Sequence, residues 1–108
     1  MKIGCDIEEI KRFKEKKEDL KFLNRIFTEN EIQYCFSKVK PEENLCVRFC
    51  AKEAVVKALS DKTISYKNIE ILNDENGKPC VKVNGIDENI EISLSHSKEY
   101  AMAVALIS

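Results

Sequence analysis

The sequence predicts an α+β fold in which a mostly antiparallel sheet packs on one long helix. Three observations predict it: apolar residues alternate at the N-terminus, recur at helical spacing through the middle of the chain, and gather into short β-rich runs after Asn68. Strand, helices, strands is the resulting order. With 108 residues the chain can bury one ordinary core, so a single domain over residues 1–108 is expected.

In "KIGCDIEEI", Ile3, Cys5 and Ile7 alternate against Gly4 and Asp6, which reads as a short strand delivering Asp6 near its C-terminal end. A polar, basic helix is expected from there to about Phe22. Thr28 and Glu31 in "TENE" have capping-box spacing, the hydroxyl set to accept an early helical N–H and the carboxylate set to reach back, so a short helix should run through "IQYCF". Pro41 suits a first helical turn, and Glu42 and Glu43 add negative charge where the helix dipole favours it. That main helix should end near Leu59. At about 100° per residue, Leu45, Phe49, Val56 and Leu59 form one apolar stripe, and Val47, Ala51, Ala54 and Ala58 form a smaller-residue face behind it. A helix apolar on two sides is largely buried. Strands follow at residues 69–72 and at "CVKV", with the "NDENGKP" turn between them; after the Asn84-Gly85 turn, "IEISL" and "YAMAVALI" close the sheet.

The net charge of −1 conceals an uneven distribution. Lys11 to Arg25 carries seven bases against three acids, whereas Asp61 to the end carries five bases against eight acids. The basic segment suits an acidic partner, because long-range attraction speeds encounter. Few aromatics accompany it, which argues against single-stranded nucleic acid. The five cysteines are odd in number and lack C-x-x-C spacing, so neither a disulfide framework nor a zinc ribbon is indicated. No apolar run is long enough to cross a bilayer, and carboxylates stand where a signal peptide would be apolar. A cytoplasmic location is expected, with no membrane or nucleic-acid partner. P-loop, dinucleotide-fold and serine-hydrolase motifs are all missing.

Lys52 and Glu53 stand side by side in the middle of the buried helix. Lys52 points near the large apolar stripe, where its stem could cover apolar surface while the ammonium reaches water. Glu53 lies directly below Lys57 at i+4, and a carboxylate leaving water costs several kcal/mol unless something compensates it. Two arrangements satisfy that demand: a plain Glu53–Lys57 helix pair, or a cation site shared with Asp6. Two carboxylates with open positions are what Mg²⁺ prefers, because water and substrate phosphates then complete its octahedron. Such a site would serve phosphoryl-type transfer. The "SLSHS" cluster, which holds the only histidine, and the "NGKP" turn with Lys78 could contact a phosphate or be ordinary strand-end and turn chemistry.

Taken in order, "IGCDIEEIKRF", "FLNRIFTENEIQYC", "RFCAKEAVVKAL", "NDENGKP" and "ISLSHSKEYAMAVAL" resemble the holo-acyl-carrier-protein synthases, the small 4′-phosphopantetheinyl transferases. The resemblance runs from Ile3 to Leu106. It implies transfer of the 4′-phosphopantetheine arm of coenzyme A to a serine of an apo acyl carrier protein, Mg²⁺ as cofactor, release of adenosine 3′,5′-bisphosphate, and a homotrimer with an active site at each subunit boundary. By the same resemblance Asp6 and Glu53 are the metal ligands and Lys57 contacts the coenzyme phosphates. Arg48, Lys78, Pro79, Ser95 and His96 are implied to bind the coenzyme, and Arg12 the carrier. Many relatives read H-V-S where this chain has Glu91-Ile92-Ser93. A competing reading is a non-enzymatic basic module that docks on an acidic protein.

Overall fold

The computed structural model describes all 108 residues. Its elements run β1 (Lys2–Glu9), α1 (Ile10–Lys16), α2 (Leu20–Ile26), α3 (Glu29–Phe36), α4 (Pro41–Leu59), a 3₁₀ turn (Tyr66–Asn68), β2 (Ile69–Asn73), β3 (Pro79–Val83), β4 (Ile90–His96) and β5 (Tyr100–Ile107). Every strand pair is antiparallel, and α4 packs chiefly on β1 and β5. The expected α+β arrangement is present. The single sheet divides, however, into a three-stranded sheet ordered β1-β5-β4 and a separate β2-β3 hairpin.

The basic helix expected to reach Phe22 is two helices. Asp19 breaks it by accepting a hydrogen bond from Phe22 N at 3.0 Å, which caps α2 and turns the chain. The turn lets Phe13 meet both Phe22 and Phe27 at ring separations of 6.0 and 6.2 Å. The capping box at Thr28 and Glu31 forms as the spacing predicts. Helix α4 starts at Pro41 and ends where Ser60 adopts a left-handed φ of 54°.

β1 is longer than expected and turns its apolar residues outward. Ile3 and Ile7 are 69% and 62% exposed, whereas Gly4 is buried against α4. The cause is the closeness of the helix: a Cβ at Gly4 would sit 2.2 Å from the Ala54 carbonyl oxygen and 2.6 Å from Ala58 N. Only a glycine fits there. Ala51, Ala54 and Ala58 of α4 and Ala101, Ala103 and Ala105 of β5 are all buried, so small side chains on both elements allow this contact. Because strand side chains alternate, Asp6 and Glu8 share the inward face with Gly4. That places two carboxylates along α4, Asp6 at Lys57 and Glu8 nearer Cys46.

Candidate active site

Asp6 reaches the site on β1 and Glu53 and Lys57 reach it on α4. Lys57 Nζ donates to Asp6 Oδ1 at 3.2 Å and to the Cys5 carbonyl at 2.9 Å. Glu53 instead accepts a hydrogen bond from the Tyr66 hydroxyl. The i+4 pair between Glu53 and Lys57, one of the two arrangements open from the sequence, gives way to these cross-element contacts. Glu8 accepts from Arg12 Nη1 at 3.4 Å, and the Arg12 guanidinium lies 5.2 Å from the centre of the Phe49 ring.

The electrostatics of this group are shared. Burial, and then the adjoining Asp6 carboxyl, push Glu8 up from 4.5 to about 7, with Glu53 adding to the effect and Arg12 opposing it. Burial and the Glu53 carboxylate push Tyr66 up to about 12, so its hydroxyl stays a donor. The hydrogen bond to Asp6 holds Lys57 above its ordinary value, and Glu53 contributes as well. Asp6 and Glu53 therefore act on the same neighbours. Asp6 Oδ2 is buried without a donor, and the adjoining Glu8 carboxyl would have to be protonated to supply one. Two adjoining carboxyls, one with a buried oxygen lacking a donor, are costly, and a cation would satisfy them. The acids do not close into a cage of three or more protein ligands. This donor set fits a hard divalent ion that keeps several positions for water and phosphate oxygens.

Arg48, Pro79 and His96 line a second feature, a cleft of about 350 Å³ that also takes in Tyr34, Asn73 and Ser93. Arg48 is 3% exposed, its Nη2 donates to Asn73 Oδ1 at 2.6 Å, and its guanidinium lies 4.2 Å from the centre of the Tyr34 ring. Its Nε is buried and unpartnered, and no acid pairs with it. An unpaired buried cation at the wall of a cleft is suited to an anion. Lys78 stands outside this wall, paired with Glu91 at 3.3 Å. Ser95 faces the other side of the sheet with Ile7 and Met102, while His96 touches both spaces.

Lys52 differs from the expectation of a side chain reaching water. It is fully buried and donates to Glu31 Oε1 at 2.6 Å, Ile26 O at 2.8 Å and Tyr66 O at 3.0 Å. Burial lowers its pKa while Glu31 opposes that shift. Glu31 could not be foreseen as its partner, because the cap accounts for Glu31 without a second role. Glu8 was readable: it stands two residues after Asp6, hence on the same strand face. Tyr34 and Asn73 fall within the quoted motifs "FLNRIFTENEIQYC" and "NDENGKP", but their contact with Arg48 could not be read from them, and nothing in the sequence marks Tyr66.

Residues 2–105 match the family model of the 4′-phosphopantetheinyl transferase superfamily. The chain belongs to that superfamily. It is 46% identical over 109 residues to the holo-[acyl-carrier-protein] synthase of Thermodesulfovibrio yellowstonii, a match covering 98% of this chain and 96% of that one. Among superfamily structures, it resembles the Bacillus anthracis holo-(acyl-carrier-protein) synthase in complex with CoA (3′,5′-ADP), at 37% identity and a TM-score of 0.86, over 98% of this chain and 94% of that one. The Helicobacter pylori holo-[acyl-carrier-protein] synthase in complex with coenzyme A is similar at 28% identity and a TM-score of 0.86, over 98% of this chain and 99% of that one.

Proposed function

We propose that this chain transfers 4′-phosphopantetheine from coenzyme A to a serine of an apo acyl carrier protein. The serine oxygen forms a bond to the phosphorus that carries pantetheine, the bond from that phosphorus to the bridging pyrophosphate oxygen breaks, and adenosine 3′,5′-bisphosphate leaves. The serine proton passes to a base at the site. The observation that carries the reading is the buried oxygen of Asp6 that lacks a donor, beside Lys57 and the Glu8 carboxyl, with Glu53 acting on the same neighbours. Relatives named for this reaction, over nearly the whole chain, support it.

Asp6 and Glu53 would hold Mg²⁺. Bound there, the ion would draw charge from the pyrophosphate and orient it. Lys57, 53% exposed at its side chain, can leave Asp6 for a phosphate oxygen and stabilise charge on the departing bisphosphate. Arg48, Pro79 and His96 line the space assigned to the nucleotide end, and Lys78 at the cleft's edge must release Glu91 before it can contact phosphate. Arg12, with the basic surplus of Lys11 to Arg25, is the reading's contact for the acidic carrier.

Arg48 and Glu53 are five residues apart on α4, about 140° around its axis. One subunit's Arg48 cleft and a neighbour's Asp6–Glu53–Lys57 group would then form each site, an arrangement that needs an oligomer and that the family resemblance makes a homotrimer. The outward face of β1 and β5 supports this, with Ile3, Ile7, Tyr100 and Met102 all exposed. No helix is long and apolar enough to cross a membrane. Five free cysteines suit the reducing cytoplasm.

Apo acyl carrier proteins should be mixed with the protein, coenzyme A and Mg²⁺, and then weighed. One phosphopantetheine increment is expected, absent when a chelator removes the metal. No increment on any of several carriers would overturn the reading.

A further inference from the structure

Tyr66 is gripped from three sides. Its ring packs on Phe49 at a centroid separation of 5.5 Å, its carbonyl accepts from Lys52 Nζ at 3.0 Å, and its hydroxyl donates to Glu53 Oε1. Lys52 and Glu53 are sequence neighbours, about 100° apart around α4, so one Lys-Glu pair holds both the backbone and the tip of a single tyrosine. The backbone hold is itself firm: all three Lys52 donors are used, one of them on Glu31, which is fully buried and also accepts from Thr28 N and Ile71 N at 2.8 Å each. Tyr66 is thereby fixed to α2, α3, α4 and β2 before any ligand arrives.

We propose that Tyr66 is a positioning residue for Glu53: its hydroxyl occupies one carboxylate oxygen and so orients the other toward the divalent cation that Glu53 shares with Asp6. The inference rests on reading those two acids as the cation's ligands. A hydrogen bond from outside the coordination sphere restricts the rotation of a ligating carboxylate, and loss of such a partner typically weakens metal binding by roughly tenfold to a hundredfold. Tyr66 does not touch the reacting phosphate in this account. Its action passes entirely through Glu53.

Tyr66→Phe keeps the ring on Phe49 and the carbonyl on Lys52 and deletes only the hydroxyl. Free Mn²⁺ should be measured by its electron paramagnetic resonance signal during titration of the wild-type and variant proteins, each saturated with coenzyme A, against a coenzyme-only blank. The variant is expected to bind Mn²⁺ about tenfold more weakly. Its metal activation constant should rise in parallel, while its KM for coenzyme A at saturating metal stays at the wild-type value. A purely structural role would instead lower the metal-free thermal midpoint and leave the Mn²⁺ isotherm in place. Superposable isotherms for the two proteins would overturn the role of Tyr66 alone. Absence of Mn²⁺ binding above the blank in the wild-type protein would overturn the assignment of Asp6 and Glu53, and this inference with it.

Discussion

Gly4 and Lys52 each have one physical constraint that fixes their identity. At Gly4 the constraint is space, since a methyl group would meet the α4 backbone at 2.2 Å and backbone cannot swing aside as a side chain can. Gly4→Ala should therefore destabilise the protein by about 1–3 kcal/mol or more, the usual range for overpacking a tight core, read as a lowered urea midpoint. An unchanged midpoint would mean that β1 does not cross α4 so closely. At Lys52 the constraint is charge. It and Glu31 are both fully buried, so Lys52→Met leaves a buried carboxylate and two backbone carbonyls without their ammonium, at a cost of about 3–5 kcal/mol. A loss below about 1 kcal/mol, the size seen for surface pairs, would contradict this.

The helices show which local signals the sequence carries openly. Thr28 and Glu31 close their box because both partners lie within one turn, and Pro41 to Leu59 forms the long helix because its caps and apolar faces are likewise local. Thr28→Ala should cost about 1 kcal/mol from the cap, and somewhat more because Thr28 Oγ1 also donates to Glu70 Oε2 at 2.5 Å. A melting curve identical to wild type would count against the cap. The break between α1 and α2 was less legible, because Asp19 lies in a run of charges that also suits a continuous helix. β1 was legible as a strand, but alternation alone cannot tell which face is inward. Gly4, with no side chain to bury, marks the buried face only once α4 lies against it.

At the scale of the molecule, the two groups of candidate residues were written in the sequence, but their relation in space was not. Asp6 and Glu53 are 47 positions apart in the chain, and only the packing of β1 on α4 brings Asp6 to Lys57, one helical turn from Glu53. Arg48 was implied to bind the nucleotide end of the coenzyme, yet its supports Tyr34 and Asn73 come from α3 and the end of β2, and no local spacing pairs either with Arg48. The row of Ile3, Ile7, Tyr100 and Met102 reads as core from composition and is exposed in the folded chain, which is why it is the face proposed for assembly. Ile7→Glu should shift the particle mass measured by light scattering from three times the 12.4 kDa chain mass to the chain mass itself, and transferase activity should fall with it. A wild-type particle already at 12.4 kDa would remove the shared-site arrangement.

The assignment of Asp6 and Glu53 as ligands of one divalent ion can be read from a single map. Crystals grown with coenzyme A and Mn²⁺ should give an anomalous difference peak at coordination distance from both carboxylates, with Lys57 turned from Asp6 to a coenzyme phosphate. A peak bound elsewhere, or a coenzyme pyrophosphate ordered at the site with no peak between the two acids, would contradict it.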